Sequence, residues 1–117
     1  MIFTPPANTD LLLSEAQKEQ LYTKLVEQIN KDFTLANESI DFPVEITPIS
    51  LKLAIQDKVY NLIQHKFAEY LNLLYIIDVP EKEIKSLNGN DIAELAEQVA
   101  FLVLKREWQK VWFRNKY

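Results

Sequence analysis

Gly89 is the only glycine in this 117-residue chain. Left-handed turns and close backbone approaches fall most cheaply on glycine. A chain with one glycine has little room for tight hairpins, phosphate-cradling loops or a dinucleotide fingerprint. Cysteine is absent, which excludes a disulfide framework, a thiolate metal site and a thiol nucleophile. With 48% apolar and 26% charged residues, the composition is that of an ordinary globular chain long enough for one core. A single helical domain over 1–117 is expected, with 1–13 as an N-terminal arm.

Helix starts are written along the chain. Ser14-Glu-Ala-Gln17 fits a capping box, in which the serine hydroxyl accepts from the third amide and Gln17 reaches back. Leu21, Tyr22, Leu25, Val26, Ile29 and Phe33 then recur on one stripe, so a first helix to about Asn37 buries one face and lies outermost. Residues 38–47 read as an extended connecting arm. Its apolar side chains alternate at 40, 42, 44 and 46, and Pro43 and Pro48 forbid a helix across it.

Thr47-Pro48 supplies a cap and a first-turn proline for a second helix to about Ile77. Unbroken, it would measure about 45 Å, long enough for a kink or break to be expected. Its apolar residues cover more than half the wheel, which marks it as the central helix. Asp78-Val-Pro-Glu81 opens a short third helix to about Leu87, closed by Asn88-Gly89 in a left-handed turn. Asp91-Ile-Ala-Glu94 caps the last. The fold class is therefore all-α: a small irregular bundle of three long helices and one short helix, with an extended arm between the first and second.

The candidate chemistry is thin. His65, the lone histidine, shares a polar face with Lys58, Asn61, Glu69 and Asn72, and reads as part of a solvated helix face. One histidine cannot make a His-Glu-x-x-His site, and no Glu-x-x-His pair for a di-iron bundle occurs. Mg²⁺ at Glu94 and Glu97 would have no motif behind it. Ser39, Ser50 and Ser86 lack a nucleophile-elbow context. No catalytic, cofactor-binding or metal-binding residue is assigned, and no cofactor is expected.

Charge is segregated. Residues 1–104 carry 8 basic and 16 acidic side chains, a balance of −8, while 105–117 carry 5 basic and 1 acidic, a balance of +4. The last helix also changes face. Ile92, Leu95, Ala96, Val99, Leu102 and Val103 form its first apolar stripe, which continues as Arg106, Lys110 and Arg114. Phe101, Leu104, Trp108, Val111 and Trp112 form a second stripe on the other side. Either the two ends of this helix pack against different things, or the chain breaks near Leu104. The second stripe needs a surface of its own: the N-terminal arm, the extended arm around Phe42, or another subunit.

Phe101, Leu104, Trp108, Val111 and Trp112 are accordingly the candidate interface, with a homodimer as one outcome. Arg106, Lys110, Arg114 and Lys116 are the candidate polyanion contact. The short helix, turn and last helix resemble a helix-turn-helix only superficially, because Asp91, Glu94 and Glu97 stand where a duplex backbone would lie. The sequence thus favours a non-enzymatic helical interaction module that binds itself or another protein through the last helix. A nucleic-acid-associated accessory protein is the alternative, and a small enzyme around His65 the further one. The first ten residues lack a signal-peptide pattern, and the longest uncharged run after them, Tyr70 to Ile77, falls far short of the ~20 residues that span a bilayer. A cytoplasmic protein without membrane contact is expected.

Overall fold

Two of the four expected helix starts are realised, at Thr47 and Asp91, and two are displaced. The computed structural model describes residues 2–116, and among these lie six α-helices and no strand. They are α1 (Thr9–Lys18), α2 (Tyr22–Leu35), α3 (Pro48–His65), α4 (Phe67–Ile77), α5 (Glu81–Lys85) and α6 (Ile92–Lys116). The fold is an all-α bundle.

The expected first helix is two. Its true cap is Asn8, whose side chain accepts from the Leu11 amide at 2.8 Å, and Ser14 lies exposed inside α1. The arm is therefore shorter than 1–13: residues 9–13 are helical, and Leu12 and Leu13 are buried. After Lys18 the chain turns through Gln20 at φ 61°. The Leu21 amide bonds back to the Ala16 carbonyl at 2.9 Å, the six-to-one closure of a Schellman end. α2 then buries Leu25, Val26, Ile29 and Phe33, four residues of the expected stripe.

The expected second helix breaks at Lys66, which caps both α3 and α4 with φ −142° and ψ 61°. Unbroken it would be about 45 Å long, whereas the molecule measures 36 × 28 × 23 Å. The break lets Tyr70, Leu73, Leu74 and Ile77 of α4 turn inward, where α4 packs against α2, α3 and α6. Thr47 caps α3 as expected and accepts from the Ser50 amide.

Nor is the 48–77 segment central. α6 packs against each of the other five helices, and no other helix does. It runs unbroken past Leu104, so the change of apolar face is a change of neighbour.

The connecting arm partly follows its alternation. Ile40, Phe42 and Ile46 pack on the core, but a turn after Pro43, closed by Ile46 N–H to the Pro43 carbonyl, leaves Val44 outside. Asn30 of α2 pins the arm by bonding both the amide and the carbonyl of Phe42 at 2.8 Å.

At the third junction Asp78 is the left-handed end of α4 and not a helix start; α5 begins after Pro80 with no side-chain cap. Gly89 has no positive φ, so it closes no left-handed turn. It serves close approach: a Cβ there would stand 2.7 Å from the Leu95 amide nitrogen. The last cap stands as expected, with Asp91 accepting from the Glu94 amide at 2.8 Å.

Candidate functional site

The second apolar stripe of α6 lies largely inside its own domain. Leu104 and Trp108 have no exposed surface and Val111 has 1%, so these three offer nothing to a partner, which corrects the interface expected there. α1 and the segment before it meet the stripe at Phe101, Trp108 and Trp112, while Val111 lies beside α2. The Trp108 indole N–H donates to Glu15 of α1 at 3.0 Å, and Phe3 meets Trp112 edge-on at 5.4 Å. Phe101 and Trp112 are half-buried. Of the surfaces considered for this stripe, the N-terminal segment is the one seen to contact it.

The basic stripe is likewise turned to internal acceptors. Arg106 donates to the Asp78 carbonyl (3.0 Å) and carboxylate (3.2 Å). Lys110 reaches Asp32 at 2.6 Å, Arg114 reaches Gln28 Oε1 at 2.8 Å, and Lys116 reaches Glu19 at 2.7 Å. The charge asymmetry of the sequence is thus spent tying the end of α6 to the acidic remainder. Any polyanion would have to displace these contacts.

Between α2 and α6 lies a buried polar cluster that the sequence reading missed. Asp32 is 5% exposed and Glu107 not at all. Both carboxyl groups face the Lys110 ammonium, Asp32 at 2.6 Å and Glu107 at 3.3 Å, and neither Glu107 oxygen has a hydrogen-bond partner. Burial, the close approach of Asp32 and its charge push Glu107 well above the ordinary glutamate value, against the smaller opposing effect of Lys110. Burial also acts to raise Asp32, but the close approach of Glu107 and bonds from Lys110 and Gln28, with the Lys110 charge, outweigh it and hold Asp32 below its ordinary value. Of the two, Glu107 is the one whose surroundings favour the protonated form. Its signal in the sequence is slight: one acid in a basic segment, beside Trp108 and one turn from Lys110.

His65 ends α3 in solvent, and the break at Lys66 removes the continuous face it was to share with Glu69 and Asn72. Among the described residues no group of three or more His, Cys, Asp or Glu side chains could hold a metal ion. No described helix is long and apolar enough to cross a membrane.

An exposed apolar stripe lies elsewhere, on α4. Only Glu69 and Asn72 in its eleven residues are polar. A helix apolar around its circumference is ordinarily enclosed, yet Phe67, Leu71 and Tyr75 are 55%, 51% and 80% exposed. Standing at i, i+4 and i+8, they form one outward stripe. Beside it runs a groove of about 410 Å³ between α4 and α5, lined by Leu74, Val79, Pro80 and Ile84. Fold and surface together define, among the described residues, a bundle of six helices in which α4 presents an apolar stripe to solvent. No protein-family model, curated protein or solved structure matches this chain.

Proposed function

We propose that the protein is a non-enzymatic helical interaction module whose docking surface is the α4 stripe, and that its partner is a second copy of the same chain. The supporting observation is the exposure of Phe67, Leu71 and Tyr75 on a helix that is apolar on both sides. Contiguous exposed apolar patches mark interaction surfaces, and aromatic residues are enriched in them.

The stripe is self-complementary. When two α4 helices cross antiparallel about Leu71, Phe67 of one meets Tyr75 of the other. Charge agrees with this arrangement: Lys66 stands at one end of the stripe, and Asp78 and Glu81, each with a side chain 80% exposed, stand at the other. Antiparallel crossing brings these unlike ends together, and an isologous contact uses the same patch twice.

The three side chains leave on the order of 400 Å² exposed, taking roughly 200 Å² for each. A stable partner contributes ~800 Å². The dimer is therefore weak, with a Kd of about 10–100 μM, in the range where area no longer guarantees tight binding. Sedimentation equilibrium from about 1 to about 500 μM tests this, a range set to bracket that affinity. Leu71→Glu should weaken association at least about tenfold while leaving thermal stability within ~0.5 kcal/mol, as expected for an exposed position. A monomer mass at every concentration, or unchanged association in Leu71→Glu, overturns the reading.

A further inference from the structure

In the buried part of the seam between α2 and α6 two carboxyl groups face one ammonium. Glu107 is fully buried, and neither of its oxygens has a donor. Lys110 stands 3.3 Å from Glu107 Oε1 but gives its short bond to Asp32 at 2.6 Å, and Asp32 also accepts from Gln28 at 3.1 Å. Arg114 reaches the cluster only through Gln28 Oε1.

Charged groups of the neighbouring helices have partners of their own. α1 directs Glu15 to Trp108 and Glu19 to Lys116; α3 directs Lys52 to Asp10 and Lys58 to Glu38. Asp78, at the end of α4, meets Arg106, and Glu83 of α5 meets Lys105. With both carboxyl groups ionised, two negative charges would face one ammonium where water is excluded. Buried charge without compensation is expensive. One proton resolves the conflict by making Glu107 a donor and Asp32 its acceptor.

We propose that this proton is a latch: held between Glu107 and Asp32 it closes the C-terminal half of α6 onto α2, and its release loosens that seam. The direction follows from linkage. The Glu107 contribution is complete below the ordinary value of 4.5 and is lost as pH climbs through its raised value. The Asp32 contribution is present above 3.8 and is lost as pH falls through its lowered value. The seam is therefore tightest in mildly acid solution and weakens toward the alkaline side.

Thermal unfolding from about pH 5 to about pH 8 reads this directly. The melting temperature of the unaltered protein should fall by about 5 °C or more across that window, since each pKa unit is ~1.4 kcal/mol and a domain of this size loses several degrees per kcal/mol. Glu107→Gln, which keeps the shape and a donor but cannot ionise, should give a nearly flat profile. Infrared spectroscopy supplies a second reading that does not depend on the variant folding. The carbonyl band of a buried protonated carboxyl should be present in the unaltered protein near pH 6, above the ordinary glutamate range. In Asp32→Asn, where no like charge remains, that band should titrate away at lower pH. Parallel melting profiles of the unaltered protein and Glu107→Gln overturn the latch, as does absence of the band from the unaltered protein near pH 6. An unchanged band titration in Asp32→Asn would equally overturn it.

Discussion

Gln20, Asn37 and Asp78 have φ of 61°, 66° and 68°, and each ends a helix. At each, the next residue's amide bonds five back, to Ala16, Phe33 and Leu74 respectively. A chain with one glycine has placed three other residues in the position glycine usually fills. Asn and Asp tolerate the left-handed region through their short polar side chains, whereas for other residues it costs roughly 1–2 kcal/mol. Gln20 is the costly one of the three, and it is exposed. Gln20→Gly should therefore stabilise the protein by about 0.5–1 kcal/mol, the strain relieved less the added entropy of the unfolded chain. Urea denaturation measures it, and a loss of stability would show that Gln20 makes contacts worth more than its strain. The only glycine stands where backbone meets backbone, at Leu95, rather than where φ is positive. Sequence could mark Gly89 as special but could not say for which of these two reasons.

At the scale of the element, α6 shows how much patterning alone reveals. The two apolar stripes and the basic row were visible in the sequence, as was the choice between a break and a change of neighbour. Which neighbour it meets was not visible, because Glu15, Glu19 and Asp32 stand 75 or more residues earlier in the chain and come to α6 only through the fold. The cations of the last turns also complement the helix dipole. With Arg106, Lys110, Arg114 and Lys116 all engaged internally, duplex DNA should bind no tighter than ~10 μM at physiological salt, within the non-specific range. Fluorescence anisotropy with a labelled duplex checks this. Sub-micromolar, steeply salt-dependent binding that disappears in an Arg106/Lys110/Arg114 triple alanine variant would restore the polyanion reading. α4 illustrates the reverse case. Its near-continuous apolar run reads as interior, and only packing showed which side of it is left in solvent.

For the whole molecule, α6 is the element on which the others assemble. The Trp108–Glu15 and Lys116–Glu19 contacts join positions 93 and 97 residues apart, so the two ends of the chain close the fold together. The Cα radius of gyration is 13.4 Å, about what a single folded domain of this length has, so the described residues form one compact body. Removing residues 105–117 would take away Trp108, Val111 and the α1 and α2 contacts at once. One buried tryptophan alone is worth ~3–5 kcal/mol and total stability is ~5–15 kcal/mol. The truncated chain should show no cooperative thermal transition by circular dichroism; a transition of normal sharpness would mean α1–α5 form a core without the end of α6.

Fold class and most of the helical content were legible in the order of residues along the chain. Caps, first-turn prolines and apolar spacing act within one or two turns, so they can be read from neighbouring residues. Tertiary structure decided what depends on distant residues meeting: the break at Lys66, the central place of α6, and the burial of Trp108 under the N-terminal segment. It alone made the carboxyl pair. Asp32 and Glu107 are unremarkable charged residues until two helices bring them together out of water, and only there does one of them have to keep its proton.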